Sequence, residues 1–395
     1  MLLKTGKWND GTGGEFRNNE CIKIENGKIA AIGKMDDFSA EEQARLVDYS
    51  EYTLLPGLLD AHVHLFLEGI SDLKVRTARW REEKELTLVR SVKNLEMTLQ
   101  KGVTTVRDLG GPHGVSSVLK KSLSRKILQG PRVISSNRAI SVTGGHFHYA
   151  GGREADGAEE MVKAVREQVK TGAEWIKIMV TGCVDFRSQD AGGVELSLLE
   201  NQAVSAAARR SGRPVSAHAN GCDGVKQALE CGVTTLEHGA LLDEATADAI
   251  AESPVFWVPT LVPFERMLDY SRAHQCATLP PAGIDEVLEQ HRKMVFRAWQ
   301  KGAKIVAGTD AGALGVEHGD LWREMVLLRE SGFNAAAVIF AATGRAADAM
   351  GVAETVGRLL PGKRADFLIV NGDPERNMAC MADVVQVYKD GAPIK

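Results

Sequence analysis

Three segments of the chain repeat one order of features. A helical stretch ends in glycine, a short apolar strand follows, and polar residues then lead into another glycine, as in LQKGVTTVRDLGG, LECGVTTLEHG and WQKGAKIVAGTDAG. Glycine suits the left-handed position that closes a helix, and β-branched apolar strands suit a sheet that is buried on both faces. Strands and helices that alternate in this way predict parallel β–α–β units.

Strand candidates can be counted along the whole middle of the chain. The eight candidates are LLPGLLDAHVHL, GVTTVRDL, RVISSNRAI, WIKIMVTG, PVSAHA, TTLEHG, VFWVPTL and KIVAGTD. Eight strands with intervening helices predict an α/β protein built on a closed (β/α)₈ TIM-type barrel. The rival is a doubly wound open sheet, which is disfavoured because no G-x-G-x-x-G motif follows the first strand.

The two ends of the chain differ from the middle. Short alternating strands precede Leu55, as in CIKIENGKIAAIG, where Asn26-Gly27 is a hairpin signal. The tail repeats this pattern in RADFLIVNGDP and VVQVYKDGAPI. We therefore expect residues 1–55 and 358–395 to meet in a small β-sandwich module, beside a barrel formed by residues 56–357.

Composition and charge narrow the classes of partner. The 395 residues are 44% hydrophobic and carry a formal net charge of −4 without a basic block, so nucleic acid is not an expected partner. No apolar run approaches the ~20 residues of a membrane helix, and the first residues lack the apolar core of a signal peptide. The six cysteines include no C-x-x-C pair, which disfavours a disulfide framework. We expect a cytoplasmic protein with a small-molecule ligand and no membrane partner, and a homo-oligomer stays open.

Polar side chains stand where the strand candidates end. The first candidate ends in His62-Val63-His64, and strand alternation puts both imidazoles on one face. Since the carboxyl ends of barrel strands meet at one mouth, further side chains should converge there, namely Lys177, His218, His238 and Asp310 from the fourth, fifth, sixth and eighth candidates. Imidazole and carboxylate ligands suit Zn²⁺ or a similar divalent ion. The histidines that lack this placement, which we expect at the surface or in the core, are His113, His274 and His291.

The motifs LPGLLDAHVH, WIKIMVTG, SAHANG, LEHG and AGTDAG resemble the amidohydrolase superfamily. They are most similar to the branch that contains imidazolonepropionase-like and Xaa-Pro dipeptidase-like enzymes, and the tail GRLLPGKRADFLIV is similar to the way such chains leave the barrel. The resemblance spans nearly the whole chain. It implies a hydrolase that uses metal-activated hydroxide to cleave the C–N amide bond of a dipeptide or an N-acyl amino acid.

The resemblance also implies a role for each ligand. The residues assigned to the more buried metal ion are His62, His64 and Asp310, and those assigned to a second ion are His218 and His238. Lys177 would bridge both ions as an N-carboxylated lysine, because an ammonium has no lone pair and burial favours the neutral amine that captures CO₂. The expected ions are two Zn²⁺, with Mn²⁺, Co²⁺ or Fe²⁺ as alternatives. An unmodified Lys177 would leave a single ion.

Catalytic and substrate-binding roles follow from the same resemblance. Asp310 would move the proton of the attacking water to the leaving nitrogen. His146, in TGGHFHY after the third strand candidate, is expected to bind the substrate carbonyl or carboxylate, with His148 as the alternative. The other candidates for substrate binding are Asn220, Arg187 and His318. Several relatives that cleave dipeptides carry tyrosine where this chain has Asn220, which disfavours a prolidase.

Three alternatives stand beside a linear amide hydrolase. One is the opening of a cyclic amide, as in imidazolonepropionase-like chemistry. Another is deamination at a single metal, which Lys177 disfavours because deaminases of this superfamily generally lack that lysine. The third is a non-catalytic relative, which is disfavoured because no ligand position is missing.

Overall fold

The computed structural model describes residues 1–274 and 278–394. The strands are β1 (Leu2–Trp8), β2 (Arg17–Asn18), β3 (Cys21–Glu25), β4 (Lys28–Gly33), β5 (Leu46–Pro56), β6 (Leu58–Val63), β7 (Val103–Asp108), β8 (Arg132–Ser135), β9 (Ile140–Ser141), β10 (Arg153–Glu154), β11 (Ile176–Met179), β12 (Val215–Ala219), β13 (Thr235–His238), β14 (Phe256–Val258), β15 (Lys304–Ile305), β16 (Phe367–Val370), β17 (Val384–Lys389) and β18 (Ala392–Pro393). The helices are α1 (Ala40–Gln43), α2 (Leu73–Arg79), α3 (Lys84–Gln100), α4 (Val115–Ser124), α5 (Gly157–Lys170), α6 (Leu198–Arg210), α7 (Gly221–Glu230), α8 (Glu244–Glu252), α9 (Val262–His274), α10 (Pro281–Gln300), α11 (Leu321–Glu330), α12 (Ala335–Ala341) and α13 (Gly344–Met350).

The middle of the chain forms two sheets of parallel strands. One sheet has the order β6-β7-β8, and the other has the order β10-β9-β11-β12-β13-β14-β15. Backbone hydrogen bonds connect the two sheets, because Ala61 N donates to Ala307 O over 3.2 Å and Glu174 N donates to Ser135 O over 2.8 Å. Helices follow most of these strands, so the architecture is the TIM-barrel-like α/β fold that the alternating pattern predicts. Complete closure into eight strands stays a prediction.

Two strand candidates divide in the structure, and the eighth is a strand only over Lys304–Ile305, so Asp310 lies in the loop that follows. The third candidate divides into β8 and β9, because Asn137 between them has a left-handed φ of +59° and accepts a hydrogen bond from Ser135 Oγ over 3.0 Å. The first candidate divides at Gly57 into the end of β5 and the start of β6. A Cβ at position 57 would lie 2.4 Å from Oγ1 of Thr104 in β7, so only glycine allows the chain to pass this close to β7.

Both chain ends contribute to one further sheet. Its order is β18-β17-β16-β5-β1-β3-β4, with β2 paired to β1. Strand β5 connects the two chain ends, because it pairs in parallel with β1 and antiparallel with β16. In the second pair, Leu55 is opposite Leu368. Trp8, Leu54 and Phe367 are buried in the apolar cluster that this sheet supports. The sandwich form and the boundaries near residues 55 and 358 stay predictions.

Local sequence explains where α6 begins and which face of α5 is buried. Ser197 caps α6, and its N–H donates to the carboxylate of Glu200 over 2.8 Å, which completes a capping box. In α5 the buried residues Met161, Ala164 and Val165 follow the spacing of one helix face. Among the described helices, none combines the length and the apolar character that a membrane crossing requires.

The cysteines in the described residues are free thiols, in agreement with their scattered positions. They are Cys21, Cys183, Cys222, Cys231 and Cys380. Cys276 lies outside the described residues.

Candidate active site

The strand ends bring the expected metal ligands into one pocket of about 350 Å³. The residues of this group that line it are His62, His64, Lys177, His218, His238 and Asp310. The register of the parallel strands explains the convergence, because His218 is opposite Met179 of β11 and His238 is opposite Ala219 of β12. The ring centroids of His218 and His238 are 4.7 Å apart, so the imidazoles form a continuous cluster.

His62, His64 and Asp310 are close enough to share one ion. Their candidate ligand atoms all lie within 4.8 Å of one another. Oδ1 of Asp310 is 3.5 Å from Nε2 of His62 and 3.2 Å from Nε2 of His64. Burial raises the pKa of Asp310, but the neighbouring imidazoles and Lys177 outweigh that effect, so the pKa lies below its ordinary value.

Hydrogen bonds orient the two histidines of the first motif. Nδ1 of His62 donates to the carboxylate of Glu237 over 2.9 Å, and Nδ1 of His64 donates to the carbonyl of Gly110 over 2.8 Å. In a neutral imidazole this leaves the Nε2 lone pair free. Burial lowers the pKa of His62 to about 4, which favours the neutral ring. The Nε2 atoms of both rings face Asp310, and the neutral ring of His62 offers its lone pair to a metal ion.

The histidines of β12 and β13 are oriented in the same way. Nε2 of His218 donates to the carbonyl of Gly182 over 3.0 Å, which leaves its Nδ1 lone pair free. The hydroxyl of Thr260 donates to Pro259, so it accepts from Nδ1 of His238 over 2.6 Å, which leaves the Nε2 lone pair of His238 free. Burial holds the pKa values of His218 and His238 well below the ordinary value.

Lys177 lies in β11 between Ile176 and Ile178, and its side chain is directed into the pocket. The residue is 1% exposed, and its Nζ has no hydrogen-bond partner among the described residues. Burial lowers the pKa of this amine to about 8, although the charges of Glu237 and Asp310 oppose that effect. An amine with this pKa and without a partner is suited to addition of CO₂.

Glu237 and Arg107 support the candidate ligand His62 from behind, and the sequence analysis missed both. Glu237 accepts hydrogen bonds from His62, from the guanidinium of Arg107 over 2.9 Å and from the hydroxyl of Ser216 over 2.7 Å. Both charged side chains are fully buried. Burial raises the pKa of Glu237, but Arg107 and His62 lower it well below the ordinary value, so Glu237 is an anion. A charged residue inside each apolar strand was the available signal.

The loop that carries Asp310 is held against β6. The buried carboxylate of Asp60 accepts hydrogen bonds from N and Oγ1 of Thr309, over 3.0 and 2.6 Å. Gly312 has a φ of +99°, and a Cβ there would lie 2.8 Å from the carbonyl of His64. Non-glycine residues rarely adopt left-handed φ, yet Asp310 has a φ of +57° and His238 a φ of +65°. Backbone strain of this kind gathers at functional sites.

His146 and Asn220 are the predicted substrate-binding residues that line the pocket. The ring of His146 is 4.4 Å from the ring of His218, and its backbone N–H donates to Glu195 over 2.7 Å. Burial lowers the pKa of His146 to about 4. Asn220 accepts a hydrogen bond from Ala240 N over 3.0 Å, which fixes its amide beside His218.

The other predicted substrate residues are not among those that line the pocket. His148 is exposed and bonds to the carbonyl of Gly145. Arg187 is exposed and pairs with Asp185 over 3.2 Å. His318 is buried and bonds to the carbonyl of Leu67. Their roles stay predictions. The remaining histidines lie at the surface or in the core, with His113 and His274 exposed and His291 buried.

The rest of the pocket wall is mainly apolar. Its large members include Trp80, Phe147, Tyr149, Phe186, Phe264 and Met267. An apolar wall excludes water and strengthens the electrostatic effects of the polar groups beside it. Arg76 is the only described residue of the wall that carries a guanidinium.

Comparison with known proteins identifies the family. A family model described as "Amidohydrolase family" matches residues 53–394. The chain belongs to the amidohydrolase family. This amidohydrolase is 27% identical over 412 residues to ochratoxinase from Aspergillus niger, covering 97% of this chain and 84% of that protein. It is 25% identical over 394 residues to imidazolonepropionase from Agrobacterium fabrum, covering 89% and 84%.

A solved structure gives the same assignment. The crystal structure of a Xaa-Pro dipeptidase with bound methionine in its active site matches this amidohydrolase with a TM-score of 0.89 and 30% identity, covering 100% of this chain and 99% of that one. These relatives confirm the resemblance to the imidazolonepropionase-like and Xaa-Pro dipeptidase-like branch. The protein is a hydrolase that acts on C–N bonds.

Proposed function

We propose that this amidohydrolase uses two divalent metal ions to cleave the amide bond of a dipeptide or an N-acyl amino acid. One observation carries the proposal. Each of four neighbouring imidazoles donates one ring N–H to a fixed acceptor and keeps the other nitrogen free, in a pocket that also holds Asp310 and the amine of Lys177. Histidines that serve only a structural purpose have no need to present their lone pairs together.

The donor set fits two ions. Nε2 of His62, Nε2 of His64 and the carboxylate of Asp310 would hold one. Nδ1 of His218 and Nε2 of His238 would hold the other. When bound, the two ions would polarise the substrate carbonyl and lower the pKa of water toward ~7. Zn²⁺ suits nitrogen and oxygen ligands, and Mn²⁺, Co²⁺ and Fe²⁺ are the alternatives.

Lys177 would complete the site as a carbamate. The nitrogen of its neutral amine forms a bond to the carbon of CO₂, and the proton that the nitrogen loses goes to solvent. The resulting carboxylate can bridge two cations, whereas an ammonium cannot bind one. The absence of a described partner for Nζ supports this reading. If the amine stays unmodified, the same pocket would hold one ion with His62, His64 and Asp310.

The chain supplies proton transfer and substrate orientation. Asp310 would accept a proton from the attacking water and pass it to the leaving nitrogen. His146, kept neutral by burial, would donate a hydrogen bond to the carbonyl or carboxylate of the substrate. The apolar wall would exclude bulk water during this transfer.

Linear amides are favoured over cyclic ones by the relatives. The Xaa-Pro dipeptidase structure is named for dipeptide substrates and holds an amino acid, methionine, in its active site. Imidazolonepropionase matches at 25% identity, and ring opening is therefore the second candidate. Deamination at a single ion is disfavoured by Lys177.

The proposal is tested by a substrate screen of three preparations. The protein is assayed as loaded with Zn²⁺ in bicarbonate, after exhaustive chelation, and after reloading, against dipeptides, N-acyl amino acids and small lactams. We expect about two ions per chain, hydrolysis of a linear amide, loss of activity on chelation and recovery on reloading. Full activity in the stripped sample would overturn the metal-dependent mechanism, and turnover of lactams alone would favour ring opening.

A further inference from the structure

Helix α2 brings an unpaired cation to the pocket wall. The guanidinium of Arg76 donates through Nη1 to the carbonyl of Gly312. It forms no ion pair with any carboxylate of the described residues. Two other arginines of this region do form ion pairs. Arg79 of α2 pairs with Glu82 over 2.6 Å, and Arg90 of α3 pairs with Glu68 over 3.1 Å.

The same pocket wall holds a hydrogen-bond donor without a partner among the described residues. Trp80 follows α2 four residues after Arg76, so the two side chains leave neighbouring turns. Nε1 of Trp80 is buried and has no hydrogen-bond partner among the described residues. Buried donors normally have partners, and a buried donor without one, on the same wall as a cation without an ion pair, indicates that a ligand supplies the acceptor.

Arg76 lies close to the candidate metal ligands. Gly312, which accepts its hydrogen bond, is two residues after Asp310 and packs against the backbone of His64. Burial lowers the pKa of Arg76 below its ordinary value, which reflects the cost of removing this charge from water. An anion bound beside the guanidinium would offset that cost.

We propose that Arg76 binds the free carboxylate of the substrate, with Trp80 as a further donor, and that the enzyme prefers amides of amino acids with large apolar side chains. This inference rests on the proposed function and specifies its substrate class. A planar guanidinium matches a carboxylate. Aromatic rings of the same pocket would accommodate the side chain, since Trp80 and Tyr149 have centroids 4.4 Å apart and Phe186 lies 6.0 Å from Phe264.

Binding of two non-hydrolysable ligands tests the inference without turnover. The probes are the ketomethylene isostere of N-acetyl-L-phenylalanine, which has no C–N bond to cleave, and the same compound with its carboxylate replaced by a neutral hydroxymethyl group. Dissociation constants are measured by calorimetry for the metal-loaded wild type, Arg76→Gln, Arg76→Lys and Lys74→Gln. Lys74 is an exposed residue of the same helix, so its variant controls for the loss of one positive charge.

We expect Arg76→Gln to weaken binding of the carboxylate probe by roughly 10- to 100-fold, the usual effect of a charge-assisted hydrogen bond. Binding of the hydroxymethyl probe should hardly change, Lys74→Gln should bind like the wild type, and Arg76→Lys should retain part of the affinity. Equal weakening of both probes, or the same loss in Lys74→Gln, would overturn the inference. Thermal melts of each variant identify a folding defect, and Arg76→Lys then decides the outcome.

The screen and the binding experiment separate the two proposals. Hydrolysis of amides with no preference of the wild type for the carboxylate probe would overturn the role of Arg76 and leave the proposed function standing. An Arg76-dependent preference without hydrolysis of any linear amide would support the carboxylate site and overturn the proposed reaction.

Discussion

The carboxylate of Glu237 accepts a hydrogen bond from Nδ1 of His62 over 2.9 Å, although the two residues are 175 positions apart in the chain. The other oxygen of Glu237 receives the guanidinium of Arg107 over 2.9 Å. A predicted metal ligand is therefore oriented by an anion that a buried cation stabilises. Groups that orient a ligand in this way contribute to metal affinity as well as to folding.

Replacing Glu237 with glutamine should weaken both properties. The amide keeps an acceptor for one neighbour but loses the charge that compensates Arg107. We expect metal affinity to fall by roughly 10- to 100-fold, and the free energy of unfolding to fall by about 3–5 kcal/mol because a buried charge is left unpaired. Competition titration with a Zn²⁺ chelator and urea unfolding measure the two effects.

Ser216→Ala is the matched control for Glu237→Gln. It removes one hydrogen bond to Glu237 but keeps the carboxylate charge and its bond to His62. Metal affinity in this variant should stay close to that of the wild type. If Ser216→Ala and Glu237→Gln lowered the affinity equally, the charge of Glu237 would have no particular role.

The sequence predicts the ligand set more fully than its supporting residues. H-x-H alternation and placement after a strand candidate are local patterns, so His62, His64 and Asp310 can be recognised from the sequence alone. Glu237 and Arg107 act across β13 and β7, which are not neighbours in either sheet, and no local pattern records that contact.

The place of Arg76 in the pocket wall was still less predictable from the sequence. Arg76 lies on a seven-residue helix, and its approach to Gly312 depends on how two distant loops pack. The sequence around Arg187 does not distinguish it from Arg76 as a candidate for substrate binding. In the structure, Arg187 is exposed and forms an ion pair with Asp185. The division of the third strand candidate at Asn137 likewise depends on a single left-handed residue.

Asp310→Asn separates proton transfer from metal binding. The amide can still ligate through oxygen but is a poor proton acceptor at neutral pH. We expect kcat to fall by roughly 10²–10⁴, the usual contribution of a general acid–base group. Metal content is measured on the same preparation, and near-normal turnover with metal retained would remove Asp310 from the proton pathway.

Asn220 predicts weak activity on plain Xaa-Pro dipeptides. Its amide is fixed by Ala240 N and lies beside His218, at the position where the resemblance to dipeptidases implies a tyrosine hydroxyl. A polar site discriminates against ligands that leave its groups unpaired. We expect kcat/KM for Xaa-Pro substrates to lie below ~10⁴ M⁻¹s⁻¹ and below that for another small amide, and steady-state kinetics on both series would reveal the opposite order.

Glu324 predicts a pH dependence of stability. Its carboxyl group is buried in α11, and burial raises its pKa to about 8, although the N–H of Val262 donates to it over 3.0 Å. The folded state therefore binds more protons than the unfolded state between the ordinary carboxyl pKa and about 8, and the free energy of unfolding falls as pH rises through that range.

Glu324→Gln should reduce this fall. The difference in the free energy of unfolding between variant and wild type should shift in favour of the variant from about pH 5 to about pH 8, as measured by urea titration. Glu230→Gln removes a carboxylate from the exposed end of α7 and serves as the control for the loss of one negative charge. A flat difference for Glu324→Gln would show that Glu324 is ionised in the folded state throughout.

Lys177 should carry one carboxyl group in the metal-loaded protein. Its amine is buried, has no described partner and lies among the candidate ligands, and a charged ammonium beside two cations would be repelled. Native mass spectrometry in bicarbonate should detect the added mass of CO₂. Lys177→Ala should lose activity and at least one metal ion, and short carboxylic acids should restore part of the activity by supplying the bridging carboxylate. An unmodified Lys177 with two ions bound would refute the carbamate, whereas one ion held by His62, His64 and Asp310 would establish the mononuclear alternative.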